Sequence, residues 1–281
     1  MGADMLFTGK QFMRSAGRAV ALGTLGLCAG LLAAQTAPAG SDPQALKALE
    51  NHLDQLKDVH TLETHFVCQK NLAMLDAPLI SEGRLWIRKD GNEKGTAQPG
   101  AGKENRGGSE GGAVRFSTEH PYLSELILAD GKVFGRSQHE TEWTTSSQSS
   151  RPGLTAIMVQ LGGWATGSAG TLTDMYQVHT LSVAQARIPD SPAVGGTKAH
   201  PVNDGKPADF YRLTPASKDL AAVIKSVVLA IDPPTGALAA IEITTEQGDV
   251  TRYWFIGAKT NLELPPDLFK PTGIVPAPDK Q

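Results

Sequence analysis

His60, His65 and Cys68 lie close together and are of the right types to ligate a soft metal ion through imidazole and thiolate. Their spacing argues against it. Along an extended stretch, residues three apart point to opposite faces, and His60 sits on a different element. A second candidate is the glycine-rich run at 95–103, which superficially resembles a phosphate loop. The G-x4-G-K-[ST] spacing fails, because Ala97 stands where the first glycine should be and Glu104 follows Lys103. No H-E-x-x-H helix occurs, and the letters G-x-S-x-G at Gly107-Gly108-Ser109-Glu110-Gly111 fall in a glycine-rich run almost free of apolar residues, not at the strand-to-helix turn that makes a nucleophile elbow. Ser, His and Asp are all present, but no spacing brings them together, and the carboxylates are scattered over strands and turns. The expectation is a binding protein rather than an enzyme, with no catalytic residues, no metal and no cofactor.

Composition narrows what is bound. The 281 residues are 40% hydrophobic and 20% charged, enough for a sizeable core. The formal net charge is −3, and residues 1–39 contribute Lys10, Arg14 and Arg18 against Asp4, so the remainder is more acidic still. Nucleic-acid binding needs clustered Lys and Arg and is not expected. Residues 1–39 read as a signal peptide for export to the periplasm: a basic start, an uncharged apolar run at 19–34, then small residues including Ala37-Pro38-Ala39. That run, about 16 residues, is short of the ~20 a spanning helix needs. Met13 is an alternative start. Cys28 follows Leu27, where a lipidation site would carry a small residue. After cleavage Cys68 is the only cysteine, so no internal disulfide can staple the fold.

Residues 40–281 are expected to form a single domain. Residues 41–60 carry Leu46, Leu49, Leu53 and Leu56 at helical spacing, with Ser41 or Asp42 as N-cap, Pro43 in the first turn, and Gln44 placed to complete a capping box. Residues 66–89 then read as strand, break at Asp76-Ala77-Pro78, strand. Further strands are expected at 114–118, 125–129, 132–137 and 140–145, a helix at 151–163, strands at 209–213, 226–231, 238–245 and 250–256, and a helical turn or two at 218–224. Leu268 and Phe269 should dock after a polyproline step. Two segments, 90–112 and 187–208, are rich in Gly or Pro and read as flexible insertions.

The order helix, strands, mid-chain helix, strands carries a resemblance. The stretches Phe66-Val67-Cys68-Gln69-Lys70 with Leu72 and Leu75, Pro78-Leu79, Ser81-Glu82-Gly83-Arg84-Leu85, Arg115-Phe116, Pro121-Tyr122, Asp130-Gly131, Leu161-Gly162-Gly163-Trp164, Arg212-Leu213-Thr214-Pro215, Gly248-Asp249-Val250-Thr251, Asn261 and Leu268-Phe269 are similar to those of LolA-like periplasmic lipoprotein carriers, most closely their less studied paralogues. The resemblance covers most of residues 42–271 apart from the two insertions. It implies a mainly β (α+β) fold, an incomplete, curved antiparallel β-barrel closed by helices. It also implies a cargo of lipoprotein or lipid acyl chains, an inner-membrane transporter that releases it and an outer-membrane acceptor. A monomer is expected.

On that frame the expected acyl cavity wall is Leu85, Ile87, Val114, Phe116, Leu126 and Leu128. The expected lid is Leu154, Ile157, Met158, Leu161 and Trp164. The founding carriers hold their lid with an arginine at a strand end that falls at Lys89 here, beside Arg88, and lysine lacks the planar fork of arginine. A sensor or scaffold that binds a protein partner on the same fold is the alternative. An envelope enzyme with an unrecognised site is the third reading.

Overall fold

The computed structural model describes residues 40–89, 112–129, 132–138, 142–147, 175–194 and 198–271. All lie in the larger of the two units into which the chain divides, Ala37–Gln281; the expected signal peptide falls outside them.

Asp42 starts the first helix, α1 (Pro43–Gln55). Its carboxylate accepts the Gln44 backbone N–H at 2.9 Å, and Pro43 occupies the first turn, where a missing N–H costs nothing. The expected capping box from Ser41 does not form. The Ser41 hydroxyl accepts the Val178 N–H instead, at 3.2 Å, and Asp42 N–H donates to the Val178 carbonyl at 2.9 Å. The helix also stops short of residue 60. Val59 N–H turns back to the Leu56 carbonyl, and His60 N–H donates to the Asn261 side chain at 2.8 Å. Tertiary ties thus override helical continuation.

Among the described residues eleven strands follow: β1 (Thr61–Asn71), β2 (Leu79–Arg88), β3 (Ala113–His120), β4 (Ser124–Ala129), β5 (Lys132–Ser137), β6 (Thr144–Ser147), β7 (Tyr176–Leu181), β8 (Asp209–Pro215), β9 (Ile224–Ile231), β10 (Leu238–Thr245) and β11 (Val250–Thr260). They form one antiparallel sheet in the order β6-β5-β4-β3-β2-β1-β11-β10-β9-β8-β7. The first and last strands therefore pair in the middle, and β6 and β7 end the sheet without meeting. This is the open, curved architecture that the LolA-like resemblance implies. The sixth strand begins later than the expected 140–145. The seventh is not among the expected strands, although Tyr176-Gln177-Val178-His179 alternates and its Tyr176 and Val178 are buried.

Alternation sends side chains to two faces. The inner face, under α1, holds one continuous core of Leu62, Phe66 and Cys68 from β1, with further residues from β2–β5 and β7–β11. At one point the backbones touch: a Cβ on Gly83 would lie 1.9 Å from the Ser117 carbonyl oxygen, so only glycine fits.

The outer face carries two smaller clusters. Residues 187–208, expected as a flexible insertion, are packed where described. Ile188, Val194, Val202 and Ala208 sit against Val67, Phe210, Val228 and Trp254, and the Trp254 indole N–H donates to the Pro189 carbonyl at 2.9 Å. Composition alone hid these apolar anchors among Pro and Gly. Two short helices, α2 (Val183–Ala186) and α3 (Lys218–Ala221), flank the eighth strand. The C-terminal tail docks Leu268 and Phe269, as expected, against Trp86, Ala113 and Ile127. The insertion at 90–112 lies outside the described residues except for Gly112, and the expected helix at 151–163 lies wholly outside them.

Candidate functional site

The six expected wall residues share the inner face. Leu85 pairs across the strands with Phe116 and Ile87 with Val114; Val114 pairs in turn with Leu128, and Phe116 with Leu126. Five are buried and Leu126 partly so. They form two neighbouring apolar rows, which β1 continues through Leu62, the cross-strand partner of Ile87. The five expected lid residues, Leu154, Ile157, Met158, Leu161 and Trp164, lie outside the described residues.

Helix α1 covers part of this face with Ala45, Leu49 and Leu53. Its start is pinned to the edge strand β7 by the Ser41 and Asp42 bonds. Its end rests on the β9–β10 turn, where Gly236 has φ +70° and a Cβ would lie 2.3 Å from the His52 carbonyl oxygen. His52 Nε2 lies 3.0 Å from an Asp209 carboxylate oxygen, and the His52 ring stands edge-on to Tyr211. This histidine–carboxylate pair joins α1 to β8.

Beside the end of α1 is an apolar pocket lined by Leu56, Leu62, Thr64, Leu85, Leu238 and Phe255, among others. Its volume is about 30 Å³. A water needs roughly 10–15 Å³, so the pocket has room for little more than that. Of the expected wall only Leu85 lines it. Leu62 lies before the expected start of the first strand at Phe66, whereas Phe255 lies inside the expected strand 250–256 but not in the expected wall, because no sequence signal pairs β11 with β1.

Deeper on the inner face, Phe66, Phe116, Tyr253 and Phe255 form an aromatic cluster, with Phe66 edge-on to Phe116 at 5.4 Å and Tyr253 stacked on Phe255 at 6.4 Å. Cys68 lies under the same cluster. Burial raises its thiol pKa, so it behaves as a small apolar group rather than a nucleophile. Burial also raises Tyr253, and lifts Tyr211 to about 12 with help from Asp209. His65 faces the opposite side of the sheet from Cys68, and among the described residues no group of His, Cys, Asp and Glu is arranged to hold a metal.

The two strand-end cations part company. Lys89 donates from Nζ to the Lys57 carbonyl at 3.2 Å, just past the end of α1, and from its backbone N–H to the His60 carbonyl at 2.8 Å. Arg88 turns to the outer face, its guanidinium 4.9 Å from the centre of the Phe269 ring. The outer face also holds a feature that sequence reasoning missed. Arg115, fully buried, pairs with Glu125, which also binds Arg136, and Arg115 donates to the Leu268 carbonyl at 2.6 Å. An alternating strand pattern gives no sign that its one basic residue is buried.

No family model and no curated protein matches the chain. Solved structures do. The MucA/MucB complex of Pseudomonas aeruginosa matches at 15% identity over 81% of this chain and 60% of that chain, with a TM-score of 0.40. A DUF1329 family protein of Desulfovibrio piger matches at 10% identity over 82% and 98%, with a TM-score of 0.42. A putative outer membrane lipoprotein-sorting protein domain of Vibrio parahaemolyticus matches at 12% identity over 81% and 96%, with a TM-score of 0.37. The chain thus spans about three fifths of the first of these relatives. Likenesses this remote leave function to the chain's own residues.

Proposed function

We propose that this protein is an exported, non-catalytic carrier that takes up acyl chains of lipoproteins or lipids between α1 and the inner face of the sheet. The observation that carries the reading is the continuity of that face. One apolar core runs under α1 from β5 to β7, and it opens to a pocket at the end of α1. Acyl chains need apolar area and no hydrogen bonds; their transfer from water is worth ~0.8 kcal/mol per buried CH₂. Burial raises the Cys68 thiol on this face, so it adds apolar surface there rather than a nucleophile. The pocket is too small for a chain as it stands, so uptake requires α1 to lift from its C-terminal end, the end held by Lys89 and Gly236. Export through residues 1–39, and hand-over between a releasing transporter and an outer-membrane acceptor, are part of the same proposal.

Native mass spectrometry of periplasmically expressed protein, followed by organic extraction, tests it. Bound acyl mass is the expected result. Bare protein that also refuses a fluorescent acyl probe would sink the proposal.

One observation favours a second reading, a sensor or scaffold for a protein partner. The wall residues are already packed against protein, with Ile87 1% exposed and Val114 2%. A filled core is what a scaffold would have. Bare protein with a stable, stoichiometric protein partner would select it.

A further inference from the structure

Large apolar side chains that water reaches are few among the described residues, and five of them sit on or directly beside two neighbouring loops. Met74 and Leu75 belong to the β1–β2 connection and Leu79 opens β2 directly after it, while Tyr122 and Leu123 belong to the β3–β4 connection. The two loops share one end of the sheet, because Glu82 near the start of β2 pairs with His120 at the end of β3. Met74 is 84% exposed and Tyr122 68%. This exposure is built in. Ala73 N–H donates to the Asp249 carboxylate at 2.8 Å, and Leu75 N–H donates to the Leu72 carbonyl at 2.9 Å. The β10–β11 turn thus holds the first loop in a fixed shape that turns Met74 and Leu75 outward.

We infer that these two loop tips form a membrane-contact site whose partner is the interface of a lipid bilayer. Three features favour a bilayer over a folded partner. The apolar residues stand at the apices of two separate connections, so they project as knobs. A fluid interface accommodates knobs, whereas a folded partner must supply two matching grooves. The pair includes a tyrosine, whose apolar ring and polar tip suit the headgroup level. Charge is nearly absent: in residues 72–79 and 121–123 the only formal charge is Asp76. Attraction is therefore apolar and not directed at anionic lipid. The inference rests on the carrier reading only in its purpose, since acyl cargo is collected from or delivered to a bilayer.

Co-sedimentation with phosphatidylcholine vesicles tests it, using the mature protein, the Met74→Ser/Leu75→Ser variant and the Tyr122→Ser/Leu123→Ser variant. The expected result is vesicle binding by the parent protein that changes less than about twofold between low and high salt. Each double variant should lose at least about tenfold in partitioning, one RT ln 10 step, with unchanged circular dichroism. Acyl-probe uptake from aqueous dispersion should be unaffected in both. No binding by the parent, equal binding by the variants, or binding abolished by salt would each overturn the inference. So would a stable folded partner that binds these tips in place of vesicles. If the parent binds vesicles but takes up no acyl probe, the membrane site stands and the carrier reading falls. If it takes up probe but ignores vesicles, the reverse holds.

Discussion

Arg115 has no solvent exposure, and its charge is held by Glu125, the Leu268 carbonyl and the ring of Trp143, with Arg136 completing the group. Removing one partner of a buried ion pair leaves an uncompensated charge, at a cost of about 3–5 kcal/mol. Glu125→Leu should therefore lower stability by about that amount in urea unfolding, while Arg115→Met with Glu125→Leu should recover much of the loss. His65 gives a pH signature. Burial holds its imidazole below the ordinary value, opposed by Glu82 and Glu119 and aided by Arg84 and His200. The unfolded chain then takes the proton first. The stability this contributes is complete above about pH 6.5 and is lost as pH falls toward the folded value. His65→Gln should flatten that slope, as read by thermal melts between pH 5 and 8. At this scale the sequence was legible where alternation was strict. Leu85, Ile87, Val114 and Phe116 share a face because residues two apart must. The Arg115–Glu125–Arg136 group was not legible, because it depends on which strands become neighbours.

Among elements, α1 decides whether the inner face can open. Gly236 meets two demands at once, a left-handed φ and backbone contact with the last turn of α1. Gly236→Val violates both, at a cost of about 2–4 kcal/mol from backbone strain and overpacking. Hydrogen exchange should locate the loosening at the C-terminal half of α1 and the β9–β10 turn. Protection unchanged in α1 would show that the turn does not hold the helix. The helix itself was readable from its leucine spacing and Asp42-Pro43. Its end was not, because Asn261, far off in sequence, takes the N–H of His60. Residues 187–208 misled for a related reason: Pro and Gly dominate the composition, but four apolar side chains are enough to seat the segment on Trp254 and its neighbours.

At the scale of the molecule, the pairing of β1 with β11 joins the two ends of the described fold across the middle of the sheet. Neither half has a complete inner face without the other. Deleting residues 250–281 should abolish cooperative unfolding altogether rather than trim an edge, which circular dichroism melts would show. The class of the fold was legible from strand count, turn spacing and the quoted stretches, whereas this central pairing needs contacts nearly two hundred residues apart. It also explains how one apolar face runs unbroken from β5 to β7, and that face is the basis of the carrier proposal.

Photo-crosslinking with a diazirine-bearing acyl chain, followed by peptide mapping, tests that proposal most directly. The account predicts adducts on α1 near Leu56 and on inner-face residues of β1, β2 and β11, including Leu62, Leu85 and Phe255. Adducts confined to the outer face, or none at saturating probe, would contradict it.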